Sequence, residues 1–111
     1  MVVTRGAAGP WGITAAGEAE FAAPRVEVAD TVGAGDSFMA ALLSGVVDRG
    51  LDGAQNRADL RALPAEGLTA LLAHASRAAA VTVSRAGANP PTRAELNHIE
   101  AAAEEAEVPT I

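Results

Sequence analysis

The sequence predicts an α/β chain, on three observations. Short β-branched runs fill the first thirty residues, two long alanine- and leucine-rich stretches with helical spacing follow, and a glycine-punctuated loop joins the two regimes. Half of the 111 residues are hydrophobic but only 3% are aromatic. A core made of such small side chains requires helices and strands to approach closely. The length suits one domain over residues 1–111 and is short for an enzyme that must enclose two substrates. An incomplete catalytic unit is therefore expected.

Val2 and Val3 begin a strand with no preceding turn, as if continuing from something longer, and Arg5 to Pro10 form a glycine-rich turn. Trp11 to Thr14 and Glu20-Phe21 flank Ala15-Ala16-Gly17-Glu18, which predicts a β-hairpin, and Val26-Glu27-Val28 alternates as a further strand. Beyond the loop Asp30 to Gly35, the residues Phe38, Ala41, Leu42, Gly45 and Val46 recur at helical spacing. Met39, Leu43 and Val47 widen that apolar surface, so this helix is expected to be buried on most sides. Gly50 to Ala65 reads as a polar connection, and Glu66 to about Val81 as a second helix. A β-branched stretch then leads to Asn89-Pro90-Pro91, a turn, after which Thr92 and Glu95 make a capping box for a last helix with the stripe Leu96, Ile99 and Ala103.

Charge and composition narrow the function. The net charge is −6, with eight arginines and no lysine, so no basic stripe is available for nucleic acid or an anionic membrane surface. The longest apolar run, Phe38 to Val47, is too short to span a bilayer. No secretion signal is expected from the N-terminal residues, and the absence of cysteine rules out disulfides and thiolate metal sites. A cytoplasmic location is the expectation.

The chemistry concentrates in Asp30-Thr31-Val32-Gly33-Ala34-Gly35-Asp36-Ser37-Phe38, which runs through two glycines into the start of a helix. Amide groups of a first helical turn, with the positive end of the helix dipole, favour an anion such as phosphate. A carboxylate beside that anion repels it as a ligand, but suits taking a proton from a hydroxyl that attacks phosphorus. Phosphoryl transfer to an alcohol is the expected reaction. A P-loop is excluded because it needs lysine, and a dinucleotide fingerprint would need a small residue where Phe38 stands. Taken alone, Gly-x-Gly-Asp suits equally well a plain turn with Asp36 at the helix start.

In its wider context this segment, followed by small and apolar residues to Gly45, resembles the C-terminal signature of the PfkB, or ribokinase-like, carbohydrate kinases. Val3-Thr4-Arg5-Gly6-Ala7-Ala8-Gly9 is similar to that family's nucleotide-binding strand and turn, and Arg85-Ala86-Gly87-Ala88-Asn89-Pro90-Pro91 to its C-terminal loop. The run from Ser76 to Leu96 looks fructokinase-like. The resemblance implies a central, mostly parallel sheet flanked by helices, binding ATP and Mg2+, with a sugar as the other substrate. It implies Asp36 as general base, and amides of Gly33, Ala34, Gly35 and Asp36 as an anion hole. Thr4, Gly6 and Gly9 match positions near the ATP phosphates and ribose, and Ser76, Ala88 and Asn89 match the adenine pocket. Asp30, Val32, Thr82, Arg85 and Gly87 fall where many family members hold a monovalent cation, K+, mostly by carbonyl oxygens. The family's N-terminal half, with most of the sugar pocket and an Asn-x-x-Glu magnesium motif, has no match here. That half, or a homodimer partner, is an expected partner, and a truncated, non-catalytic nucleotide-binding or structural remnant is the alternative to an active kinase.

Several residues have plainer readings. His74 and His98 are read as structural histidines, Trp11 as packing on the hairpin, and Arg5 as a surface residue beside its turn. Glu18, Glu20 and Glu27 are expected on a wet strand face, and Arg77 on a solvated helix position.

Overall fold

A computed structural model describes residues 1–24, 26–29, 31–85, 87, 89–98 and 100. Three strands come first: β1 (Val2–Val3), β2 (Trp11–Thr14) and β3 (Gly17–Glu20). Then come α1 (Ala34–Asp48), the short α2 (Arg57–Arg61) and the long α3 (Ala65–Val83). Residues 93–98 are again helical.

The strands form one sheet in the order β1-β2-β3, with Val3 opposite Trp11 and Thr14 opposite Gly17. Ala15-Ala16 is thus a two-residue hairpin turn, shorter than the predicted Ala15 to Glu18 because Gly17 and Glu18 already pair in β3, and with neither alanine at positive φ it is not one of the primed turns. Every pairing is antiparallel. The mostly parallel sheet implied by the resemblance is not seen among the described residues, for a topological reason. Parallel neighbours require a crossover between two strands, whereas here all three strands precede the helices. Residues 26–28 form no strand either, since alternation alone supplies no ladder partner.

The sheet and α1 both pack against α3. Phe38, Ala41 and Leu42 of α1 meet Leu68, Leu71, Leu72, Ala75 and Ala78 of α3, and Leu96 completes the cluster. Glycines set two of the close approaches. A Cβ on Gly45 would lie 2.8 Å from Leu71 Cδ2, and one on Gly12 would lie 3.1 Å from Leu68 Cδ1. The hairpin tip is fastened below: Thr14 Oγ1 donates to the Leu63 carbonyl at 2.6 Å, and the Ala15 amide donates to Arg61 at 2.9 Å.

Two expectations change. The first helix starts at Ala34 and is buried on one side only, with Met39, Leu43 and Val47 left exposed. The second helix runs past Val81 through Thr82 and Val83, because Thr82 is wholly buried and its hydroxyl donates to the Ala78 carbonyl at 3.1 Å. Burial and a back-bonded hydroxyl outweigh the modest helix penalty of β-branching. The capping box forms as predicted: the Glu95 amide donates to Thr92 Oγ1 at 3.1 Å, and the Thr92 amide to Glu95 Oε1 at 3.0 Å. The stripe positions Ile99 and Ala103 lie outside the described residues.

Candidate active site

Gly33 decides the shape of the loop. It sits at the N-cap of α1 with φ 82° and ψ 0°, a left-handed conformation that glycine adopts without a Cβ penalty. Ala34, Gly35 and Asp36 form the first helical turn, and the Ser37 amide closes onto the Gly33 carbonyl at 2.9 Å. A glycine N-cap offers no side chain to the amides of this turn, and a first turn has no intrahelical acceptors for them. Of these amides, that of Ala34 donates to Thr31 at 3.3 Å. The space a Cβ on Gly35 would occupy is open. The fold therefore does not require glycine there, whereas close approach of an anion would. Asp36 is exposed and stands in the first turn, where the helix dipole favours a carboxylate.

Beneath this turn, Ser37 is buried, and its hydroxyl lies 2.6 Å from Thr82 Oγ1. The Ala29 amide also donates to the Val83 carbonyl at 2.7 Å. The N-terminus of α1 and the C-terminus of α3 are thereby fixed at one end of the helix pair. This brings the catalytic candidates Gly33, Ala34, Gly35 and Asp36 beside Val32, Thr82 and Arg85. The Thr82 hydroxyl is committed to Ser37 and Ala78, and the Arg85 amide takes its carbonyl at 3.2 Å. Any cation held here would use main-chain carbonyls rather than that hydroxyl.

Arg85 staples the loop that follows α3. Its guanidinium donates to the Pro90 carbonyl at 3.3 Å and pairs with Glu95. The Thr92 amide and then Arg85 hold the Glu95 carboxyl below its ordinary value, since both favour the ionised form. Gly87, with φ 71°, and Asn89 lie on this stapled loop, both exposed. Asp30 and Ala88 lie outside the described residues.

The remaining candidates are placed differently. Ser76 is only 4% exposed, and its hydroxyl has no partner among the described residues, so it is enclosed in the α3 packing and not presented to a cleft. Thr4 is exposed after β1, and Gly6 opens a tight 3-10 turn. Gly9 is buried with φ 85°, where a Cβ would come within 2.0 Å of the Phe21 carbonyl oxygen. Packing alone therefore accounts for Gly9. Arg5 braces this turn, donating to the Gly9 carbonyl at 2.6 Å and pairing with Glu20 at 3.3 Å. Among the described residues, the hydrogen bonds of the turn run within itself and to the end of β3.

A groove of about 650 Å³ between α1, α3 and residues 90–97 is lined by none of the predicted site residues among those described. His74 lines it, paired with Glu100, as does Arg93, which bridges Asp48 at 2.9 Å and Ser44 at 2.9 Å. The Arg93 hydrogen bond keeps the Asp48 carboxyl below its ordinary value. His74 is thus tied to a carboxylate in the groove wall, and Arg77 is not simply solvated, its guanidinium lying 5.9 Å from the Phe21 ring centroid. The sequence reading missed the roles of Ser37 and Arg85 as ties, since their partners are 45 and 10 residues away. No three His, Cys, Asp or Glu residues cluster as a metal site among the described residues, and no described helix is long and apolar enough to cross a membrane.

Comparison with known proteins supplies the family. Residues 1–95 match the model of the pfkB family carbohydrate kinases. A 42-residue stretch, 38% of this chain and 13% of its relative, is 55% identical to aminoimidazole riboside kinase of Salmonella typhimurium. The structure is similar to that of fructokinase with bound ATP from Xylella fastidiosa, at TM-score 0.79 and 28% identity over 96% of this chain and 32% of that one. It is also similar to aminoimidazole riboside kinase from Salmonella enterica complexed with aminoimidazole riboside and an ATP analog, at TM-score 0.67 and 33% identity over 89% of this chain and 30% of that one. The chain thus spans about a third of these solved relatives. With most of its length matched by the family model and its α/β fold shared with two of the family's kinases, the chain belongs to the pfkB carbohydrate kinase family.

Proposed function

We propose that this chain is the C-terminal, ATP-binding portion of a cytoplasmic kinase that transfers the γ-phosphoryl group of ATP to a hydroxyl of a sugar, fructose or a related one. Asp36 is the general base, and the amides around Gly33, Ala34 and Gly35 stabilise charge on the transferred group. The observation that carries this reading is the left-handed Gly33 opening directly onto α1, with Asp36 exposed in its first turn. A nucleoside acceptor is the nearest variant, because one structural relative is an aminoimidazole riboside kinase.

In this reading Ala88 and Asn89 line the adenine, with Ser76 as a buried residue behind them, while Thr4, Gly6 and Gly9 lie towards the phosphates and ribose. Magnesium fits as an ion carried by the nucleotide phosphates, since it is commonly held by one or two carboxylates plus phosphate oxygens and needs no three-residue cage. It would neutralise charge developing on the transferred group. A potassium ion would sit against the carbonyls of Asp30, Val32, Thr82, Arg85 and Gly87.

A circular-dichroism melt of the chain, with and without magnesium-ATP and potassium, tests nucleotide binding. Ligand at a hundred times its Kd should stabilise the fold by about 2.7 kcal/mol. A transition that ignores ATP would reject the reading.

A further inference from the structure

A cavity of about 480 Å³ lies between the sheet, α1, α2 and α3. It shares no lining residue with the groove at residues 90–97 and none with the Gly33 loop. Its volume falls in the range of small-molecule sites. Leu42 and Val46 of α1, Leu60 of α2 and Leu71 of α3 supply apolar walls. Among the described residues its charged side chains are Arg57 and Arg61 of α2, with no carboxylate beside them in the lining.

These two arginines differ from the others described. Arg5 braces Gly9, Arg49 holds the Gly45 carbonyl, Arg77 lies over Phe21, Arg85 pairs with Glu95, and Arg93 pairs with Asp48. The guanidiniums of Arg57 and Arg61 are exposed and make no hydrogen bond or ion pair among the described residues, not even with Asp59 between them. Their spacing of four places them on one side of α2, where like charges repel. An anion between them would remove that repulsion.

Apolar walls beside two cations select a ligand with an apolar body and an anionic head. A bare inorganic anion would lose water against the leucines with nothing to replace it, and an alkylammonium would meet two like charges. We propose that the cavity binds a free alkyl carboxylate of medium length. Its tail lies against Leu42, Val46, Leu60 and Leu71, and its carboxylate accepts charge-assisted hydrogen bonds from Arg57 and Arg61. The site uses no residue of the kinase reading and stands or falls apart from it.

Calorimetric titration of the 111-residue chain with decanoate, octanoate and decyltrimethylammonium, each below the concentration at which it self-associates, tests the proposal. Decanoate should bind and shift the amide NMR signals of Ala15 and Leu60, which line the cavity. Octanoate should bind about fifteenfold more weakly, at roughly fourfold per methylene. Decyltrimethylammonium should not bind. Arg57→Gln with Arg61→Gln should weaken decanoate at least about tenfold. The charge and length comparisons use the unmodified chain, so they decide the matter even if that variant fails to fold. No binding of decanoate, equal affinity for the alkylammonium, or indifference to tail length overturns the proposal. Binding to phosphatidylglycerol vesicles without binding of free decanoate also overturns it, by assigning the arginines to a lipid surface.

Discussion

The hydroxyls of Ser37 and Thr82 meet at 2.6 Å in the buried seam between α1 and α3, although 45 residues separate them in sequence. Ser37 follows directly on Asp36, so this bond sets where the first turn of α1 stands relative to the loop after α3. Its two partners are not equivalent. Thr82 also donates to the Ala78 carbonyl, whereas Ser37 has no second side-chain bond among those described.

That asymmetry predicts unequal costs. Ser37→Ala leaves Thr82 with a partner and should cost ~1 kcal/mol, while Thr82→Val strands the buried Ser37 hydroxyl and should cost ~1–3 kcal/mol. Urea denaturation of the two variants checks the order, and a larger loss for Ser37→Ala would contradict it.

Asp36 is exposed and outside the core, so Asp36→Asn should cost the chain no more than ~1 kcal/mol, the loss of a carboxylate favoured by the helix dipole, and should keep its shift by magnesium-ATP. Turnover in a kinase carrying this segment should fall about 10²–10⁴-fold, the usual contribution of a general base. Near-normal turnover would remove Asp36 from that role.

Gly9 and Gly45 should resist substitution for separate reasons. Gly9→Ala places a Cβ 2.0 Å from the Phe21 carbonyl oxygen at φ 85°, and should cost more than ~3 kcal/mol. Gly45→Ala meets the flexible end of Leu71 at 2.8 Å, and overpacking there should cost ~1–3 kcal/mol. By contrast, Gly35→Ala should leave stability nearly unchanged or slightly raised, since the space is open and alanine favours helix. It should weaken ATP binding if the anion approaches this turn. Denaturation paired with ATP titration separates the two effects.

Acid should loosen the segment after α3. Glu95 and Asp48 both have lowered folded values, through the Thr92 amide and Arg85 in one case and Arg93 in the other. Their contributions are therefore complete above their ordinary values of 4.5 and 3.8, and are lost as pH falls through the lowered ones. Melting temperature should decline as pH drops below 4.5, and Glu95→Gln with Asp48→Asn should flatten that decline. An unchanged slope in the double variant would mean these ties contribute nothing.

The sequence by itself determined the local features. The glycine loop that opens α1, the β-hairpin and the Thr92–Glu95 box depend on residues at most a few positions apart; the box formed as read, while the hairpin turn shortened to Ala15-Ala16 and the helix took in Gly35. The family signature was legible for the same reason, being one short segment with its chemistry in order. Only the tertiary structure decided which apolar residues face a partner, because periodicity gives helix faces without saying how many are covered. It left Met39, Leu43 and Val47 in solvent, withheld a ladder partner from residues 26–28 and carried α3 through Thr82. It also made Ser37 and Thr82 neighbours, a pairing between residues 45 apart that exists only once two helices cross.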